Sequence, residues 1–96
     1  MHQYVRSYSK RVENEDEYLR QLIVKLTGDG FMYLPPINER SADAEHTFIS
    51  KKTNGGGGTH LMVVTFAFGT FHQVIVRVTS TSLELVQELL GELKKI

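Results

Sequence analysis

The chain of 96 residues contains no cysteine and no tryptophan, and it contains only two prolines. Without cysteine it can form no disulfide and no thiolate metal site, and it has no cysteine nucleophile. Neither sign of charge is in excess, because eleven Lys and Arg residues balance eleven Asp and Glu residues. A net charge of zero provides no overall field to draw the protein onto nucleic acid or an anionic membrane.

Long apolar runs are also missing from the sequence. No window approaches the roughly 18 apolar residues of a membrane-spanning helix, and the N-terminal MHQYVRSYSK has no apolar stretch of signal-peptide length. We therefore expect a soluble cytoplasmic protein that does not bind membranes. The length and the 41% hydrophobic content predict a single domain, residues 1–96, with one modest core.

Two segments have apolar residues at helical spacing and a polar residue that suits the N-cap. Asn14 followed by Glu17 is typical of a capping box, and Gly28 predicts the end of this first helix. Thr81 with Glu84 predicts a second capping box near the C-terminus. The expected apolar stripes are Tyr18, Leu19, Leu22, Ile23 and Leu26 in the first helix, and Leu83, Val86, Leu89, Leu90 and Leu93 in the second.

Five other segments have the composition and alternation of β-strands. They are 3–12, 31–34, 46–52, 60–68 and 71–79, and the polar stretch 37–45 is predicted as a surface loop. The element order is therefore β-α-β-β-β-β-α. This order predicts an α+β fold in which both helices pack on one face of an antiparallel sheet.

The run of glycines in TNGGGGTH, residues 53–60, raises the question of a phosphate-binding loop. Such a loop leads from a strand into a helix, so that amide groups at the helix N-terminus meet the phosphate. Here a predicted strand follows the glycines, and Lys51 and Lys52 precede them. We interpret the run as a slack connection between two strands, and its composition also fits a spacer that replaces a longer loop.

The last two strands are separated by Gly69-Thr70, which suits a two-residue hairpin turn. If Phe68 pairs with Phe71, one face is small and branched and suits the helices: Leu61, Val63, Thr65, Ala67, His72, Val74, Val76 and Val78. The other face is also apolar, and no helix remains to cover it. We predict that it binds a protein partner or a second copy of the chain through Met62, Val64, Phe66, Phe68, Phe71 and Ile75, with Arg77 at the rim.

Two alternatives stay open for this hairpin. The loop 37–45 or the N-terminal strand could fold over the second face and make it part of the core. A bulge in the turn would exchange the two faces, although both would remain apolar.

The sequence offers no set of residues for catalysis. His2, His46, His60 and His72 lack the spacing of a zinc site, and no serine lies in a strand–turn–helix elbow. The acidic residues fall largely in the first turns of the helices, where capping accounts for them. We therefore predict no enzyme activity, no metal and no cofactor.

A nucleic-acid-binding surface is the second hypothesis. Tyr4, Arg6, Tyr8 and Lys10 would share one face of the first strand, where aromatic and basic side chains could hold unpaired bases together with the phenylalanines of the hairpin. The balanced charge argues against this function. Binding of single-stranded nucleic acid is thus the alternative to binding of protein.

Two parts of the sequence carry a resemblance to a known family. RSYSKRVENEDEYLRQLIVKL at 6–26 takes a strand directly into an amphipathic helix, and FHQVIVRVTSTSLELVQELLGELKKI at 71–96 takes a strand through the hinge TSTS into a Leu-rich terminal helix. This pattern resembles the kinase-associated domain found at the C-terminus of some protein kinases, and it also fits other small α+β domains. The resemblance implies a non-catalytic module that binds a kinase domain, a regulatory partner or anionic lipid. The sequence lacks the strongly basic surface of the lipid-binding members.

Overall fold

A computed structural model of the protein describes residues 2–36, 44–53 and 55–96. The described residues form five strands and two helices in the predicted order. The elements are β1 (Tyr4–Arg11), α1 (Glu15–Gly28), β2 (Met32–Leu34), β3 (Glu45–Thr53), β4 (Thr59–Phe68), β5 (Gln73–Ser80) and α2 (Leu83–Leu93). Most of the predicted loop 37–45 lies outside the described residues, and Glu45 already belongs to β3.

The strands form one antiparallel sheet in the order β1-β5-β4-β3-β2. The chain begins at one edge and crosses to the other edge through α1. It then returns through consecutive hairpins to β5, which pairs with β1. The predicted α+β fold is confirmed, and β4 is the central strand of the sheet.

The first helix begins as predicted. The Asn14 side chain accepts a hydrogen bond from the backbone N–H of Glu17 at 3.0 Å, and three acidic residues occupy the first turn. The helix ends at Gly28, and the Lys25 ammonium near that end pairs with the Asp29 carboxylate at 3.0 Å. Capping and the apolar stripe therefore act together to define α1.

The second helix begins one residue later than predicted. Its N-cap is Ser82, whose hydroxyl accepts the backbone N–H of Leu85 at 3.4 Å, so the assignment of Thr81 was wrong. The Thr81 hydroxyl is instead hydrogen-bonded to His60 Nδ1 at 2.6 Å. This bond ties the start of α2 to the start of β4.

Both helices pack on the same side of the sheet. Their apolar stripes join the inward side chains of the central strands in one cluster, whose fully buried members include Leu22, Leu26, Val86 and Leu93. Leu19, Ile23, Leu85 and Leu90 pack partly buried at its margin. None of the described helices combines the length and apolar character needed to cross a lipid bilayer. The core is therefore a single layer between two helices and one face of the sheet.

A pair of tyrosines, one on β1 and one on α1, meet through their hydroxyl groups. The hydroxyl of Tyr8 lies 3.5 Å from the hydroxyl of Tyr18. Burial raises the pKa of both phenols, and the contact between them raises the pKa of Tyr8 further. Because the folded state holds these protons more tightly than the unfolded state, the free energy of unfolding depends on pH in the alkaline range.

We expect the free energy of unfolding to fall as the pH rises above about 10, the ordinary pKa of tyrosine. Below that pH both states keep the phenol protons, so the pair adds no pH dependence; above it, the unfolded state loses them first. Tyr8→Phe should make this alkaline decline shallower. The measurement is urea unfolding at a series of alkaline pH values, with Tyr4→Phe as the control. An equally steep decline in Tyr8→Phe and the wild type would contradict the assignment.

Candidate protein-binding surface

The turn between β4 and β5 determines which side chains share a face of the sheet. Phe68 lies opposite Val74 and not opposite Phe71. The turn is formed by Phe71 and His72, both with φ of 59°, and the Gln73 N–H donates to the Thr70 carbonyl across it. The Gly69 N–H also donates to the Gln73 carbonyl at 2.7 Å, so Gly69 and Thr70 together face Gln73 as a bulge.

This register combines the side chains of the two strands differently from the prediction: Val74, Val76 and Val78 lie on the helix side as predicted, whereas the residues of β4 change sides. Moving the partner of Phe68 from residue 71 to residue 74 is a shift by an odd number, which reverses the faces of β5 relative to β4. Val74, Val76 and Val78 now share a face with the even-numbered residues of β4. The prediction of the Phe68–Phe71 pair and of a turn at Gly69-Thr70 was wrong, and the bulge that would exchange the faces is present.

Four of the residues predicted to bind a partner therefore lie on the helix side of the sheet. Met62, Val64 and Phe66 are buried, with Phe66 only 1% exposed, and Phe68 packs partly buried against the same cluster. The prediction that these side chains line the uncovered face was wrong. They are part of the core that α1 and α2 cover.

Aromatic rings extend this core toward the β2 edge. The ring of Phe66 stacks on His46 at 4.9 Å and on Phe48 at 5.7 Å between centroids. Tyr33 stacks on Phe48 at 4.8 Å, and its hydroxyl is hydrogen-bonded to His46 Nδ1 at 2.7 Å. His46 is thus held inside an aromatic stack, which accounts for this histidine without a metal or a catalytic role.

The opposite side of the sheet, which we call the open face, carries the other set of alternating side chains. No described helix lies on this side, because both helices contribute to the core on the reverse. Several of its large apolar residues are exposed, including Leu61 at 52% and Ile75 at 48%, whereas Ile49 and Val63 are half-buried. By strand alternation and register, its members are Val5, Ser7, Ser9, Arg11, Met32, Leu34, Glu45, Thr47, Ile49, Lys51, Leu61, Val63, Thr65, Ala67, Gln73, Ile75, Arg77 and Thr79.

One row of the open face crosses all five strands without a charge. Successive pairs in the register link Val5 to Thr79, Thr79 to Val63, Val63 to Ile49, and Ile49 to Met32. Side chains that lie directly opposite on neighbouring strands are in contact distance. This apolar row is a continuous band of branched and aliphatic groups on the side of the sheet that the helices leave bare.

Charges on the open face are few and mostly peripheral. Arg77 lies in the next row, between Ser7 and Thr65. Glu45 lies opposite Ala67 at the start of β3. Ile75 and Arg77 lie on the uncovered face as predicted, but Arg77 stands in the interior of this face and not at its rim. Their contact with a partner stays a prediction.

Phe71 occupies a different place from the rest of the predicted partner-binding set. It lies at the tip of the β4–β5 hairpin with 85% of its surface exposed.

At the opposite end of β4, the glycine run closes the β3–β4 hairpin beyond the pair Thr53–Thr59, as the interpretation of a strand connection requires. Gly57 in this run has a φ of 83°, which favours glycine.

The residues proposed for nucleic-acid binding do share one side of β1. Tyr4, Arg6, Tyr8 and Lys10 lie opposite Ser80, Val78, Val76 and Val74, which is the helix side. Tyr4 and Tyr8 pack partly buried against the core. The Lys10 ammonium donates to the Ile96 carbonyl at 2.8 Å and lies 5.1 Å from the centre of the Tyr18 ring. These rings and cations are therefore engaged within the fold and form no open stacking platform.

A cleft of about 240 Å3 lies between the end of α1 and the helix α2. Its apolar lining includes Phe31 and Leu89, and its charged lining includes Lys52, Glu88 and Glu92. The Lys52 ammonium donates to the Asp29 carbonyl oxygen, and the Glu92 carboxylate lies 3.6 Å from the Lys25 ammonium. Within the described ranges, no three His, Asp or Glu side chains gather as a metal-binding group.

Comparison of the chain with protein-family models, with curated proteins and with solved structures finds no match. The resemblance to the kinase-associated domain therefore stays a prediction.

Proposed function

We propose that this protein is a non-catalytic interaction module that binds protein through the open face of its sheet. The observation that carries the proposal is the apolar row, which crosses five strands on the side that the helices leave bare. When one face of an antiparallel sheet lies in water, each strand normally alternates apolar residues on the covered face with polar residues on the solvated face. A continuous aliphatic band on that side favours a surface that becomes buried against a partner.

The energetics of the open face support an association of moderate strength. Full burial of one aliphatic side chain is worth about 1.5–3 kcal/mol, so covering a half-exposed Leu61 or Ile75 contributes about 1 kcal/mol each. Several such side chains offset the loss of translational and rotational freedom on association. Branched residues also lose little side-chain entropy when they become buried, which favours binding by a preformed sheet.

The charge distribution favours protein over nucleic acid as the ligand. Binding to a phosphate backbone depends on Lys and Arg side chains that neutralise successive phosphates. On the open face, Arg77 stands in the interior, whereas Arg11 and Lys51 lie at separate margins. The apolar row between them provides hydrophobic contact and no phosphate contacts.

The element order adds support to the proposal. The order β-α-β-β-β-β-α is the one on which the resemblance to the kinase-associated domain rests. That family consists of non-catalytic modules that act by binding. A regulatory partner would then meet this protein on the sheet and leave the helices exposed.

Site-directed photo-crosslinking in the cells where the protein normally occurs tests this function. A photoreactive amino acid at Leu61, on the open face, should form a covalent adduct with another polypeptide. The same amino acid at Gln87, exposed on α2, is the matched control and should form none. Val63→Lys places a charge beside Leu61 in the same strand and should abolish the adduct, with circular dichroism confirming that the variant stays folded. Equal adduct formation at Leu61 and Gln87, or none at either, would contradict the proposal.

A further inference from the structure

We infer that the occupant of the open face is a second copy of this chain, packed face to face around a two-fold axis along β4. The inference rests on the proposed function, because it names the partner of the same surface. Three features of the open face carry it: its area, the central position of β4, and the placement of two opposite charges.

The area of the open face meets the requirement of a small dimer interface. The four longer strands contain eight to ten residues each. Four such strands side by side cover roughly 27 Å by 19 Å, and the three residues of β2 add roughly 50 Å2, so one copy offers a footprint of roughly 560 Å2. Two copies would bury at most roughly 1,100 Å2, which is in the range of weak interfaces. A weak but specific dimer is the expected result.

The central position of β4 allows a two-fold axis along this strand to place every strand over a strand of the second copy. Since two strands lie on either side of β4, rotation about it places β5 over β3 of the second copy and β1 over β2. The apolar row then meets its own copy: Val63 faces Val63, Thr79 faces Ile49, and Val5 faces Met32. Sheets that pack in this way interdigitate such side chains across about 10 Å.

The charges of the open face fit the same axis. Rotation about β4 places Arg77 over Thr47 of the second copy, and Glu45 of that copy lies two residues further along β3. The separation is about 7 Å along the strand and about 10 Å between the sheets, which an arginine and a glutamate side chain can span together. Two-fold symmetry forms this pair twice.

Two other axes bring like charges together. An axis along β5, or one across the strands through the row of Arg77, would place the guanidinium against its own copy. Like charges facing each other in an interface cost several kcal/mol. In the described part of the chain, neither Arg77 nor Glu45 forms an ion pair, so both are available to a second copy.

Sedimentation velocity over protein concentrations from about 1 to 200 μM, the range for a weak interface, tests the inference through charge reversal. The wild type should shift from monomer to dimer within this range. Arg77→Glu alone and Glu45→Arg alone should each weaken the dimer about tenfold or more, because each places like charges across the interface. The double variant should return to within about threefold of the wild type. Arg20→Glu, on α1, changes the net charge equally and should leave the dimer unchanged.

Sedimentation and crosslinking together distinguish a failure of the second-copy inference from a failure of the proposed function. A wild type that stays monomeric throughout the range would overturn the second copy as occupant; the proposed function would still stand if the Leu61 crosslink joins a different polypeptide. A dimer that survives Val63→Lys would use another surface, which would overturn the inference, and the Leu61 crosslink alone would then decide the proposed function. A dimer that Val63→Lys dissociates but that the double charge reversal does not restore would overturn the axis along β4.

Discussion

Replacing Phe66 by alanine should lower the free energy of unfolding by about 3–5 kcal/mol, the usual cost of removing a buried phenylalanine. The side chain is 1% exposed and lies between His46 and Phe48 in the aromatic stack. Alanine would leave a cavity between the helices and the sheet, and the rings around it would lose their contacts. Since small domains have total stabilities of about 5–15 kcal/mol, this loss removes a large fraction of the stability and should be easily measured.

Phe71→Ala is the matched control, because it makes the same chemical change at an exposed position. Phe71 is 85% exposed at the hairpin tip, so its truncation should change the free energy of unfolding by no more than about 0.5 kcal/mol. Urea unfolding followed by circular dichroism measures both variants, at a concentration low enough to keep the protein monomeric. If the two substitutions cost the same, the side of the sheet assigned to Phe66 is wrong.

The helices and strands could be predicted because their signals are local. The spacing of Leu22 and Leu26 and the cap at Asn14 indicate α1 without any knowledge of the rest of the chain. The start of α2 shows the limit of such signals. Thr81 and Ser82 both suit an N-cap, and a hydrogen bond from β4 through His60 decides between them.

The faces of the sheet could not be predicted with the same certainty, because they depend on one turn. Gly69-Thr70 has the composition of a two-residue turn, yet the turn forms at Phe71 and His72, whose side chains disfavour positive φ. One extra residue in the bulge reverses every side chain of β5 relative to β4. The uncovered side of the sheet was predicted, but most of the residues on it were not.

The composition of the two faces also explains why the residues of β4 were assigned to the wrong side of the sheet. Branched aliphatic residues alternate with other apolar residues through both central strands, so neither face of the hairpin is marked by a polar pattern. Where one face is strictly polar, the register can be deduced from the sequence alone. The apolar character of the open face, which supports the proposed function, therefore also obscures the register, and of the predicted set only Ile75 and Arg77 lie on the sheet's open face.

Replacing Phe71-His72 by Asn-Gly should raise the free energy of unfolding by about 1–2 kcal/mol. Both residues have a φ of 59°, and Phe71 has a ψ of 36°, which matches the mirror-image two-residue turn of β-hairpins. A non-glycine residue in this conformation costs about 1 kcal/mol, and Asn-Gly is the preferred pair for it. The change removes only an exposed ring and a contact of 3.5 Å between His72 and Glu15, an exposed pair that contributes little.

Placing the same Asn-Gly pair one residue earlier, at Thr70 and Phe71, separates the turn conformation from the general effect of the sequence. It relieves Phe71 but leaves His72 at positive φ, so the gain should be at most about half as large. Thermal and urea unfolding of the two variants beside the wild type measure the difference. A hairpin that turned at Gly69-Thr70 would instead gain nothing from Asn-Gly at 71–72 and would lose its strand pairing there. The sign of this one stability change therefore distinguishes the two registers, and with them the identity of the open face.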